Sequence, residues 1–273
     1  MLGELLDNVR RRRPLIHNIT NYVTANDCAN ILLACGGSPI MADDIGEVEE
    51  ITALCGGLNL NIGTLNARTI PAMLAAGKKA NELGHPAVLD PVGAGASALR
   101  TDTALRLLEQ IRFSVIRGNI SEIKALALGR GSTQGVDADM DDAVRSDTLE
   151  DAARFARDFA KKTGAVVAVT GAIDIVADGD RAYCIFNGHP MMSGVTGTGC
   201  QLSAMTAAFV TANPGRVLEA AAAAVCAMGV CGELAHKRLG ELDGNSSYRN
   251  YIIDAVYRLD GGTLDRMADY RTI

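Results

Sequence analysis

The chain has no tryptophan, and aromatic residues make up 4% of its 273 positions. A composition with few bulky rings, and rich in alanine and glycine, suits helices packed closely on a sheet. The 48% hydrophobic content argues against disorder. There is no excess of positive charge: the formal net charge is −6, which excludes a general surface for nucleic acid or anionic membrane and leaves room only for a local basic pocket. Seven cysteines include no Cys-x-x-Cys pair, and His17, His85, His189 and His236 are scattered, so a structural zinc site is excluded. The N-terminal stretch has no apolar signal core, since Arg10 to Arg13 run into Pro14 and a polar segment, and a reducing, cytoplasmic setting is expected. The longest apolar run, Ala220 to Gly232 between Glu219 and Glu233, is too short to span a bilayer and reads as a buried helix. What remains is an enzyme-like α/β chain with a small-molecule partner.

Periodicity then predicts a regular alternation. Helical spacing covers Asn21–Cys35, Asp43–Leu54, Asn66–Leu83 and Thr101–Ile111, and a further helix begins at Ser121-Glu122. Strand patterns fall at Ser38–Ala42, Leu58–Ile62, Ala87–Asp90, Phe113–Ile116 and Ala165–Val169. Gly129 to Asp147 dissolves into a long exposed loop, whose five acids between Asp137 and Asp147 lack calcium-loop spacing and read as solvated surface. Thr148-x-x-Asp151 resembles a capping box leading a helix to Lys162. Asp174–Ala177 and Arg181–Phe186 form an expected hairpin, followed by helices near 217–239 and 246–259. With no linker signal, the expectation is a single domain spanning 1–273, with a central, mostly parallel sheet and helices on both faces.

Gly194-Val-Thr-Gly-Thr-Gly-Cys200 precedes a helix carrying Leu202, Met205 and Phe209 on one face. Its glycines admit a ligand close to the backbone, and the free N–H groups of the first helical turn suit phosphate; a tight turn that merely docks helix on strand is the plainer reading. Other unusual residues collect at the expected carboxyl ends of strands, where such sheets bind ligands: Met41, Thr64, Asp90, Arg117, Glu122 and Thr170.

Asp90-Pro-Val-Gly-Ala-Gly95, Arg117-Gly-Asn-x-x-Glu122, Val169-Thr-Gly171 and Gly197-Thr-Gly-Cys200 occur in one fixed order, preceded by His17-Asn-Ile-Thr-Asn-Tyr22 and Ser38-Pro-Ile-Met-Ala42. Over essentially the whole chain this resembles the hydroxyethylthiazole kinase family of the ribokinase-like superfamily. The resemblance implies transfer of the ATP γ-phosphoryl group to 4-methyl-5-(2-hydroxyethyl)thiazole in thiamine salvage. It implies Mg²⁺ at Asp90 and Glu122, partly through water, and ATP contacts at Arg117, Thr170, Gly197, Thr198 and Gly199. On the acceptor side it implies Asn21, Met41 and Gly197. It also implies a homotrimer with pockets between subunits.

Each residue has a plainer reading beside its functional one. Asp90 and Glu122 could be helix-capping or surface carboxylates, Arg117 a surface ion pair, Thr170 a turn cap and Met41 core. Cys200 is the implied base for the acceptor hydroxyl, where most ribokinase-like kinases carry Asp. A helix N-terminus lowers a thiol pKa from about 8.5, so a usable thiolate fraction is expected there, opposed by nearby phosphates; otherwise Cys200 is a small buried helix-start residue. Alternatives of the same fold are a hydroxymethylpyrimidine kinase and a nicotinamide-hydrate repair dehydratase, both disfavoured by Cys200 and the Asn-Tyr pair. A nucleotide-binding regulator without catalysis is the alternative of another class.

Overall fold

The computed structural model describes residues 1–129 and 148–273. The expected loop and its acids between 130 and 147 therefore lie outside the described residues.

Six strands form a parallel sheet in the order β2 (Ser38–Met41), β1 (Leu15–Ile19), β3 (Gly57–Asn61), β4 (Ala87–Asp90), β5 (Val115–Asn119) and β6 (Val166–Thr170). The hairpin of β7 (Asp174–Ala177) and β8 (Ala182–Ile185) extends it antiparallel, and β9 (Tyr270–Thr272) closes the edge, giving nine strands. Side chains alternate across the strands, so two cores form. Val166 and Ala168 join one, whereas Val167 and Val169 join the other. The first core is roofed by α1 (Gly3–Arg12), α2 (Ala25–Cys35), α8 (Thr198–Ala212), α9 (Val217–Arg238), α10 (Asn245–Arg258) and α11 (Gly261–Met267). The second lies under α3 (Val48–Leu54), α4 (Thr69–Leu83), α5 (Ala98–Gln110), α6 (Ile120–Leu128) and α7 (Leu149–Thr163). The ribokinase-like expectation of a mostly parallel sheet with helices on both faces is met.

The Ala-rich run is indeed a buried helix, but length was the wrong reason to exclude a membrane span. α9 is 22 residues long, enough to cross a bilayer, and 78% of its most apolar window is buried against the rest of the chain. Its alanines let α8 and α10 approach closely.

Several boundaries move for local reasons. α2 begins at Ala25 rather than Asn21 because the Asn21 side chain accepts a hydrogen bond from Thr24 N at 3.0 Å, a turn that keeps the preceding residues out of the helix. Asn66 does the same ahead of α4, accepting from Arg68 and Thr69. Thr148 stands at the N-cap of α7 without a side-chain capping bond, contrary to the expected box. The reciprocal box occurs instead at α6, between Asn119 and Glu122. Strand β1 has no counterpart among the predicted elements, because His17 and Asn18 look polar in sequence. Both are buried with partners: His17 Nε2 meets Ala42 O at 2.8 Å and Nδ1 meets Thr52 Oγ1 at 2.9 Å. Asn18 Oδ1 accepts from Asn59 Nδ2.

Candidate active site

The parallel strands deliver their carboxyl ends to one edge, and the predicted residues stand along it. Met41, Asp90 and Thr170 are the last residues of β2, β4 and β6. Arg117 lies inside β5 rather than beyond it, since that strand runs on to Asn119. Gly197 is the N-cap of α8 at φ 87°, a left-handed conformation that glycine tolerates, and a Cβ there would collide with Thr24. A Cβ at Gly199 would run into the Arg117 guanidinium. A side chain at 199 would therefore displace the Arg117 guanidinium from its place.

A continuous polar line crosses this edge. Asn21 Nδ2 lies 3.2 Å from Cys200 Sγ and 2.9 Å from Asn61 Oδ1. Asn61 Nδ2 donates to Asp90 Oδ2 at 2.8 Å, and Ser203 Oγ donates to the same oxygen at 2.8 Å. Asp90 Oδ1 faces Arg117 Nη1 at 3.6 Å, and Arg117 Nη2 donates to Thr170 Oγ1 at 2.6 Å. The line therefore joins the expected acceptor side to the expected nucleotide side.

Asp90 is fully buried, and burial raises its pKa to about 6. Arg117 opposes that rise, the charge of Glu122 adds to it, and the bonds from Ser203 and Asn61 oppose it. Its Oδ1 has no hydrogen-bond partner. Glu122 accepts from Gly93 N through Oε1 and from Asn119 N through Oε2, both at 2.8 Å, tying the turn after β4 to the start of α6. A buried carboxylate oxygen with no hydrogen bond, only an ion-pair contact to Arg117 at 3.6 Å, and a second carboxylate close enough to raise its pKa are oxygens that a hard divalent cation fits, with water filling the remaining positions. Among the described residues no group of three or more His, Cys, Asp or Glu side chains gathers around a metal-sized space. Protein ligands alone would therefore leave such an ion largely hydrated.

Cys200 departs from expectation. It lies in the first turn of α8, yet burial first, and then the charge of Asp90, raise its thiol pKa above the ordinary value, outweighing the hydrogen bonds from Thr24, Asn61 and Asn21. The helix terminus does not win. The resting group is a thiol.

Beside the line opens a cavity of about 570 Å³, walled by Arg117, Thr170, Asp174, His189, Thr198 and Gly199 among others. Asn21, Met41, Gly197 and Cys200 do not line it. Met41 is 39% exposed on the sheet's edge strand β2, and Tyr22, Val23 and Ile45, which follow β1 and β2, are exposed as well. Asn61, Ser203 and Asp174 were not anticipated. Asn61 ends β3, where alternation with leucine made it look solvent-facing, although every residue of that strand is buried. Ser203 sits one turn after Gly199 on α8, a position predictable from helical spacing. Asp174, whose carboxyl burial lifts to a pKa of about 7 against the Gly171 hydrogen bond and Arg117, reads in the sequence only as the start of the hairpin.

A cleft at a helix N-terminus, bordered by buried polar groups that run on to the Cys200 thiol at the carboxyl edge of a mostly parallel sheet, is the arrangement of a ribokinase-like small-molecule kinase. The model of the hydroxyethylthiazole kinase family matches residues 6–261. A hydroxyethylthiazole kinase of Clostridium acetobutylicum is 67% identical over 272 residues, covering 100% of both chains. Another, from Desulfovibrio desulfuricans, is 50% identical over 100% of this chain and 99% of its own length. The structure of hydroxyethylthiazole kinase from Pyrococcus horikoshii OT3 superposes with a TM-score of 0.88 at 38% identity, covering 100% of this chain and 98% of its own. The chain belongs to the hydroxyethylthiazole kinase family.

Proposed function

We propose that this chain, as one domain, phosphorylates the hydroxyl of 4-methyl-5-(2-hydroxyethyl)thiazole from ATP in thiamine salvage, at the carboxyl edge of its sheet. The observation that carries the residue assignment is the unbroken line from Cys200 through Asn21, Asn61 and Asp90 to Arg117 and Thr170, which runs from the thiol to the wall of the cleft.

ATP occupies the 570 Å³ cleft, with its phosphates against Arg117, Thr170 and the N–H groups of Thr198 and Gly199, next to Gly197 at the start of α8. Asp90 and Glu122 would hold Mg²⁺, largely through water, and the ion would supply charge neutralisation at the phosphates. Met41 and Gly197 border the thiazole: a polarisable thioether suits its ring, and the missing side chain leaves room for the hydroxyethyl arm. The alcohol oxygen forms a bond to the γ-phosphorus while the bond from that phosphorus to the β,γ-bridging oxygen breaks, and ADP leaves with the electron pair. The alcohol proton passes to the Cys200 sulfur in the small fraction of molecules that hold it as thiolate. Since the thiol pKa is raised, this base contributes modestly, about 10² in rate, and proton loss is not required early in a loose transition state.

The exposed apolar corner of Tyr22, Val23, Met41 and Ile45 supports a homotrimer whose neighbouring subunit completes the acceptor pocket. Seven free cysteines support a cytoplasmic setting. Product analysis of purified protein with Mg-ATP and a panel of heteroaromatic alcohols tests the assignment. The thiazole alcohol should gain one phosphoryl group with stoichiometric ADP; nucleotide binding without alcohol-dependent ADP would instead indicate a regulator.

A further inference from the structure

The two asparagines in the polar line have their amide orientations settled by the backbone. A backbone N–H can only donate, so Gly63 N at 2.9 Å must face the oxygen of Asn61, which turns Nδ2 toward the accepting carboxylate of Asp90. Thr24 N likewise fixes the Asn21 oxygen at 3.0 Å, and Thr24 Oγ1 donates to that same oxygen. Asn21 Nδ2 then has one hydrogen for Asn61 Oδ1 and one for Cys200 Sγ. Both donors and both acceptor positions of Asn21 are spent inside the protein, leaving none for a thiazole ring. Asn21 and Asn61 are 4% and 1% exposed, which leaves little room for a change of partners.

We infer that Asn21 and Asn61 are positioning residues acting through Cys200: Asn61 holds the Asn21 amide so that the sulfur receives a hydrogen bond from it and does not lose its proton to an amide oxygen. With the Asn21 amide reversed, the thiol would donate to an amide oxygen and its proton would be tied up away from the substrate. Asn61 opposes that reversal, because its oxygen would then meet the Asn21 oxygen with no proton between them. The role rests on the kinase reading above and replaces a direct thiazole contact by Asn21.

The test measures kcat and both KM values for Asn21→Ala and Asn61→Ala, alone and combined with Cys200→Ala. Each single asparagine variant should lower kcat at least tenfold, with KM for the alcohol and for ATP changed less than twofold, and should cost nothing further once Cys200 is gone. Asn21→Asp, isosteric and retaining the oxygen for Thr24, should lose kcat to the same extent, and it keeps the test decisive if an alanine variant fails to fold. A raised alcohol KM with kcat retained would overturn the inference in favour of a substrate contact. Losses that persist in the Cys200→Ala background would overturn it in favour of an action on Asp90, as would asparagine effects alongside an unaffected Cys200→Ala. Wild-type protein without alcohol-dependent ADP formation would overturn the kinase reading itself, a failure visible before any variant is made.

Discussion

The two halves of the sheet edge handle polar groups in opposite ways. Around β5, β6 and the start of α8, the polar groups border an open cleft, where Arg117 and Thr170 bond to one another but remain at the wall. Around β1 and β3, Asn18, Asn21, Asn59 and Asn61 are buried and bonded to each other, and what faces outward is apolar: Tyr22, Val23 and Met41. The nucleotide half is built to be satisfied by a charged ligand. In the acceptor half these asparagines are paired within the protein, with only Asn59 Oδ1 left without a partner, and the ligand meets hydrophobic surface. A substitution should therefore affect one substrate or the other according to the half it lies in.

The largest effect is expected from Arg117→Ala, which should lower kcat/KM for ATP by about 10³ while leaving KM for the alcohol nearly unchanged; steady-state kinetics in both substrates would check it. Comparable losses in both KM values would break the division. Cys200→Ala, on the boundary, should lower kcat by about 10² and leave both KM values in place, whereas Cys200→Asp should retain turnover. Because the thiol pKa is raised, the thiolate fraction grows as pH rises, so wild-type kcat should climb about tenfold per pH unit between 7 and 8. A flat profile would remove the base. Met41→Ala, in the acceptor half, should raise KM for the alcohol about fivefold and spare ATP, in line with roughly 1 kcal/mol of lost apolar contact.

The smallest effect concerns stability. Asp174 has a folded pKa of about 7 against an ordinary value of 3.8, so folding favours its protonated form. Its contribution is fully present below about pH 4 and is lost as pH rises through 7. Asp174→Asn should raise Tm relative to wild type at pH 8 and match it at pH 4, as thermal melts at the two pH values would report. An equal difference at both would place the effect elsewhere.

How much of this was legible in the sequence divides along the same line. The nucleotide half announces itself through punctuation: Asp90 before a Pro-Val-Gly turn, Arg117 before Gly-Asn, and Gly197-Thr-Gly at a helix start are local signals, and the strands that carry them are continuous apolar runs. The acceptor half was read less well. His17 and Asn18 hid β1, because their burial depends on partners at Thr52, Ala42 and Asn59, distant in sequence. Asn61 was legible as part of a strand but not as a link, since its three bonds reach Asn21, Gly63 and Asp90. The Cys200 thiol was misjudged for a related reason: a helix start is a sequence feature, whereas the burial and the Asp90 charge that override it are tertiary ones.

The most direct measurement is a crystal structure with a non-hydrolysable ATP analogue and the thiazole alcohol bound together. The account predicts the terminal phosphate against the N–H groups of Thr198 and Gly199, and the alcohol oxygen between that phosphate and the Cys200 sulfur. A terminal phosphate held elsewhere in the cleft, or an alcohol separated from the sulfur by protein, would contradict it.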